Sequence, residues 1–253
     1  MYLLLNTSYK CIMESTLNKD IKQIKTELTR FMVSYKFALE EMNTKINILM
    51  QEFQYIHDYN PIEYVKSRIK TPENILKKVY RKGYELSLSS IKENVRDIAG
   101  IRITCSFISD IYKISEMLQN QKDIKIIECK DYIKNPKPNG YKSLHLIVQI
   151  PIFMSDRVED VYAEIQIRTV GMDFWASLEH KIYYKYDKEV PLKLIEELKE
   201  AADSVSQLDE KMENINKKAS QIKEVDEPTE LLELLINNEK VNIPQDFITK
   251  LFN

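Results

Sequence analysis

Val95-Arg-Asp-Ile-Ala-Gly-Ile-Arg-Ile-Thr-Cys-Ser-Phe107 reads as a turn feeding a strand. Its alternation puts Ile101, Ile103, Cys105 and Phe107 on one face and Arg102, Thr104 and Ser106 on the other, with Asp97 just ahead. Gly140-Tyr-Lys-Ser-Leu-His145 opens a second alternating strand, with Leu144, Leu146, Val148 and Ile150 on one side and Ser143 and His145 on the other. A third run, Val161 to Arg168, sets Val161, Ala163, Ile165 and Ile167 against Glu164, Gln166 and Arg168. If the three share a sheet whose apolar faces meet helices, the opposite face gathers Arg102, His145, Glu164, Gln166 and Arg168, with Asp97 at its rim. These are residue types for a polyanion and a metal. Two carboxylates suit Mg²⁺, which shares its oxygen shell with phosphates, and guanidinium groups match phosphate oxygens and stack on bases.

Outward from this centre the chain is helical. Ile21, Ile24, Leu28, Phe31, Tyr35 and Leu39, then Ile46, Leu49, Phe53 and Ile56, predict two helices or one bent one over residues 18–57. Residues 1–12 precede that pattern and read as disordered or as the product of an early start codon. Ile62 to Lys70 alternates as a strand, and Thr71-Pro72 then caps a helix carrying Lys77, Lys78, Arg81 and Lys82. A helix over 110–121, a short strand over 124–129 and a Pro- and Lys-bearing loop over 131–140 follow. Residues 170–186 predict a helix with Phe174, Leu178 and Ile182 inward and Trp175 more at home in the core than against a ligand. From Leu198 to Ile222 apolar residues recur in alternating steps of three and four, a coiled-coil seam that needs a partner helix. Leu231 to Ile236 predicts a short final helix. The scarce glycines Gly100, Gly140 and Gly171 all fall beside the motifs, which suggests backbone constraints there.

At 253 residues, one sizeable core with helical extensions is expected. Charged residues make up 30% and nearly cancel to −2, so any polyanion site must be local. Cys11, Cys105 and Cys129 show no metal spacing and fit a reducing cytoplasm. No run approaches the roughly 18 apolar residues of a membrane span.

Asp97-Ile-Ala-Gly-Ile-Arg102, Gly140-Tyr-Lys-Ser-Leu-His145, Glu164-Ile-Gln-Ile-Arg-Thr169 and Phe174-Trp-Ala-Ser-Leu-Glu-His180 resemble the successive motifs of the RelA/SpoT synthetase domain, and the short chain resembles its stand-alone small alarmone synthetases. The resemblance implies an α+β fold: a mixed-sheet, nucleotidyltransferase-like domain over 61–186, between an N-terminal helical segment (1–60) and C-terminal helices (187–253) that assemble a homo-oligomer, in the family a tetramer. It implies transfer of the β,γ-diphosphate of ATP to the 3′-hydroxyl of GDP or GTP, with Mg²⁺ as cofactor. Glu164 is then the general base and a metal ligand, and Asp97 the principal metal ligand. Arg68, Lys70, Asn74, Lys78, Arg81 and Arg102 fall on the ATP positions, the two arginines clamping adenine. Tyr141 would stack on guanine, with Lys142, His145, Gln166 and Asp173 around the acceptor.

Three departures stand out: Ser67 for the family's usual glycine, Asn74 for serine, and Asp173 for an asparagine found in many relatives. The first makes close backbone approach to the nucleotide less secure, and the last leaves the preferred acceptor among GMP, GDP and GTP open. Long relatives also hydrolyse alarmone at a His-Asp metal site. Here His57-Asp58 is the sole such pair, and hydrolysis is not expected. Asn43 and Asn47 stand where some relatives use lysines for alarmone control, so that switch is not assumed, and RNA stands as an alternative regulator. Two rival readings are an RNA-binding module on the same fold and a pyrophosphokinase acting on tRNA 3′ ends. The near-neutral charge speaks against both.

Overall fold

A computed structural model describes residues 2–57, 59–184, 191–223, 233–236 and 239–242. Five strands form one sheet in the order β1 (Ile62–Ile69), β2 (Ala99–Cys105), β5 (Val158–Thr169), β4 (Leu144–Phe153), β3 (Lys125–Asp131). Only β2 and β5 run parallel; the other neighbours are antiparallel. The sheet is therefore mixed and the class α+β, as expected. Alternation does the sorting: along β4 buried positions alternate with half-buried ones from Leu144 to Ile152.

The buried face meets α1 (Tyr2–Ile56) and α4 (Ile108–Gln119). Tyr35, Ala38, Leu39, Met42, Ile46, Leu49 and Phe53 recur at helical spacing and join the same core as Ile101, Ile103, Leu146 and Ile165. The N-terminal segment is thus one continuous helix, not two, and it begins at Tyr2 rather than after residue 12. Thr71 caps α2 (Pro72–Lys82) by accepting the Asn74 N–H at 3.4 Å, and Gly83 ends it at φ 67°, a left-handed position that glycine takes without a Cβ penalty. A short helix, α3 (Leu88–Asn94), was not anticipated; Ser87 caps it.

Several expectations are corrected. The strand after Asp97 stops at Cys105, and Phe107 instead opens α4, where its N–H donates to the Asp110 carboxylate at 3.1 Å. In α5 (Val170–Tyr184) Phe174 and Leu178 are exposed. Met172, Trp175 and Ala176 turn inward, and Trp175 donates its indole N–H to the Leu198 carbonyl of α6 (Leu192–Lys223) at 2.9 Å. The inner face of α6 carries Leu198, Ala202 and Val205, so its seam is only partly inward. In place of a final helix, Glu233–Ile236 (β6) pairs antiparallel with Glu239–Asn242 (β7). Leu231, Leu232, Tyr186 and the tail from Pro244 lie outside the described residues.

Candidate active site

Strand register assembles the opposite face. Lys66, Arg102, Gln166 and His145 lie in one cross-strand row, and Arg68, Gly100, Glu164 and Ile147 in the next. Gly100 thus stands between Arg68 and Glu164 with no side chain to fill the floor, and the Arg68 stem passes over it. Lys66, Ser67, Arg68, Gly100, Arg102, Glu164 and Gln166 line a cleft of about 180 Å³. A larger one, about 640 Å³, adjoins it through Arg68 and is walled by Lys70, Asn74, Lys77, Lys78, Arg81 and His180.

Asp97 lies against two lysines of the larger cleft. Lys70 Nζ reaches one of its oxygens at 2.5 Å and Lys78 Nζ the other at 2.9 Å. Burial alone would raise this carboxyl, but the two ammonium groups outweigh it and hold it below the ordinary aspartate range. Glu164 accepts one hydrogen bond, from Gln166 Nε2 at 2.8 Å.

On the other side of Glu164, burial and then the charges of Arg168, Lys137 and Lys130 press the pKa of His145 down to about 3, so the imidazole is neutral at pH 7. Tyr141 Oη lies 2.8 Å from His145 Nε2 and accepts from an Arg168 nitrogen at 2.5 Å. His145 Nδ1 faces Glu164 at 3.6 Å. Tyr141 itself packs against the cluster of Trp175, Ala176, Leu198 and Ala202, and Lys137 Nζ lies 4.6 Å over its ring.

Most expected residues therefore converge. Two do not. Lys142 lies near Asp209 on α6, away from both clefts. Asp173 is 3% exposed, and its carboxylate is occupied within the chain: Arg102 at 3.0 Å, Arg168 at 3.2 Å and the Tyr64 hydroxyl at 3.0 Å. Reading the sequence gave no role to Lys66, Lys77 or His180 and set Arg168 on the polar face without one of its own, yet all four line or brace the site. Lys66 and Arg168 carried the signal of strand parity, since each lies two residues from an assigned position. His180 carried none until the fold brought α5 beside α2. Asn43 and Asn47 border a separate groove behind β1, where Asn43 donates to Ser67 at 3.0 Å.

As a metal site the pair Asp97 and Glu164 offers few protein donors, and among the described residues no three Asp, Glu, His or Cys side chains come together. A hard cation that keeps phosphate and water oxygens in its shell needs no more than one or two carboxylates from the protein.

Residues 67–189 match the region found in RelA/SpoT proteins. The chain is 53% identical over 198 residues to GTP pyrophosphokinase YwaC of Bacillus subtilis, covering 78% of this chain and 94% of that protein. Against GTP pyrophosphokinase YjbM of the same organism the identity is 41% over 186 residues, 74% of this chain and 87% of the other. Among solved structures, small alarmone synthetase 2 of Bacillus subtilis superposes with a TM-score of 0.68 at 53% identity, over 74% of this chain and 96% of that one. Small alarmone synthetase 1 bound to its product pppGpp gives 0.71 at 39%, over 76% and 97%. With the motif residues meeting on one sheet face and these likenesses spanning most of each relative, the chain belongs to the RelA/SpoT family.

Proposed function

We propose that this protein is a GTP/GDP pyrophosphokinase, moving the β,γ-diphosphate of ATP to the 3′-hydroxyl of a guanine nucleotide. One observation carries the reading: a lysine- and arginine-walled cleft of triphosphate size, two of whose lysines hold Asp97, meets a carboxylate-bearing cleft of base size at Arg68. The relatives support it, since similar chains have been solved with pppGpp and with AMPCPP, an ATP analogue.

In this reading Arg68 and Arg102 hold adenine across Gly100, and Lys70, Asn74, Lys78 and Arg81 receive the triphosphate. With the phosphates taking up Lys70 and Lys78, Asp97 and Glu164 would be the carboxylates to hold Mg²⁺. The ion, when bound, offsets charge on the transferring group. Glu164 takes the proton of the attacking hydroxyl. Gln166 fixes the Glu164 carboxylate, Tyr141 stacks on guanine, and neutral His145 stands on the acceptor side. Asp173 acts on both nucleotides indirectly, through Arg102 and Arg168, and Lys142 braces the acceptor loop against α6.

The sheet segment, 61–186, carries the chemistry, and the flanking helices assemble a cytoplasmic homo-oligomer. Among the described residues no helix is long and apolar enough to cross a membrane.

The test is to incubate the protein with ATP, Mg²⁺ and GMP, GDP or GTP separately and to weigh the products. A guanosine 3′-diphosphate with matching AMP is expected. No transfer to any acceptor would overturn the reading.

A further inference from the structure

Arg168 lines neither cleft, is 4% exposed, and every nitrogen of its guanidinium is engaged. Two anchors hold it: Asp173 at 3.2 Å and the Ser143 hydroxyl at 3.4 Å. Its remaining nitrogen divides between two working residues, donating to the Tyr141 hydroxyl at 2.5 Å and to Gln166 Oε1 at 2.7 Å. Gln166 in turn donates its amide N–H to Glu164 at 2.8 Å. The aromatic ring and the carboxylate are thus fixed from one buried group, although they come from different segments, the turn before β4 and the middle of β5.

We propose that Arg168 is a positioning residue that sets the acceptor base platform and the proton-accepting carboxylate in register with one another. A planar guanidinium is required: it presents donors in fixed directions to four partners at once, whereas an ammonium is a point charge that cannot span them. A stacked guanine ties the acceptor to Tyr141 while its 3′-hydroxyl must meet Glu164, so the distance between ring and carboxylate has to be constant. Arg168 supplies that constancy without touching substrate. Asp173, which also holds Arg102, extends the same frame to the donor side.

The inference rests on the roles given above to Tyr141 and Glu164. The test compares the wild type with Tyr141→Phe, Gln166→Met and Arg168→Lys in steady-state kinetics for both substrates. Tyr141→Phe keeps the ring but removes the arm from Arg168, and should raise the acceptor KM with little change in kcat. Gln166→Met removes the arm to Glu164, and should lower kcat with little change in acceptor KM. Arg168→Lys should do both, each by about tenfold or more, as expected for loss of charge-assisted hydrogen bonds, while the KM for ATP stays within about twofold. Adding Tyr141→Phe to Arg168→Lys should then cost nothing further in acceptor KM, because the arm is already gone.

Arg168→Lys with wild-type constants, or a double variant whose two effects simply add, would overturn the proposal. Where Arg168→Lys does not fold, the split between the other two variants decides: if each moves both constants alike, or neither, the proposal fails. A wild type that transfers no diphosphate would instead bring down the pyrophosphokinase reading itself, and this one with it.

Discussion

Glu164 has a single close donor, Gln166 at 2.8 Å, with a neutral imidazole 3.6 Å away. Glu164→Gln keeps shape and hydrogen bonding but cannot accept a proton. It is expected to lower kcat by about 10²–10⁴-fold, the usual worth of a general base. Binding of a non-hydrolysable ATP analogue, read by calorimetry, should stay within a few-fold, because the triphosphate cleft is built from other residues. Retained turnover would remove Glu164 as base. Tyr141→Ala removes the acceptor platform alone, so it should raise KM for the guanine nucleotide about tenfold or more, the lower part of the range for a stacked base, and leave that for ATP nearly unchanged. Equal effects would refute stacking. At this scale strand parity made Arg102, His145, Glu164 and Gln166 legible in the sequence, because alternate residues must share a face. Parity could not show depth. Asp173 and Arg168 are both polar, yet the fold buries them against each other and makes a frame of what reads as substrate contact or surface charge.

Helix α6 shows why elements are harder to read than residues. Its repeat of three and four promised a seam, but two features of the site pull half of that surface inward. A Cβ on Gly140 would lie 2.6 Å from the Ala202 Cβ, and one on Gly171 would lie 2.8 Å from Asp209 Oδ1 and 2.9 Å from Val205 Cγ1. Both motif glycines are there because α6 lies against them, a reason invisible without the packing. Gly171→Ala should therefore cost about 1–3 kcal/mol of stability by overpacking, in spite of alanine's better helix propensity, and Val205→Ala should restore part of it in urea melts. The same contact carries a titration. Burial raises the Asp209 carboxyl, while the Thr169 hydroxyl, donating at 2.6 Å, and Lys142 pull it back only in part. The folded state then keeps this proton to a higher pH than the unfolded chain does, so the stability it contributes is present at low pH and lost as pH rises through the folded value. Asp209→Asn removes that loss and still accepts from Thr169. Its thermal midpoint should exceed the parent's at pH 7.5, with the gap narrowing toward pH 4; a gap independent of pH would mean that the carboxylate's charge is not the cause.

For the whole molecule, what remains outside the core is as informative as what lies within it. Leu208, Met212, Ile215 and Ile222 stand on the outer side of α6 at 57%, 45%, 58% and 67% exposure, and no described element covers them. Scattered apolar residues on a surface need no explanation, but a row at coiled-coil spacing on one helix does. The sequence called for a partner to this seam and left open whether the N-terminal helix would supply it. The fold answers part of that: residues 35–53 of α1 spend their apolar face on the sheet, and α6 rests on α5 and the start of α4, where Glu213 accepts the Ser109 N–H at 3.2 Å. We propose a second copy of the chain as the cover of the outer stripe. Leu208→Glu with Met212→Glu places two carboxylates in the middle of that row without touching Leu198, Ala202 or Val205, so each subunit should stay folded and keep its helix content. The mass from light scattering should fall by at least half at micromolar concentration. Turnover with saturating acceptor should stay within a few-fold, because the inner stripe that braces Gly140 and Gly171 is intact. A mass that does not change would show that the stripe is free surface and that assembly, if any, uses another face. A lower mass with lost turnover would instead make the acceptor site depend on the neighbouring subunit pressing α6 into place.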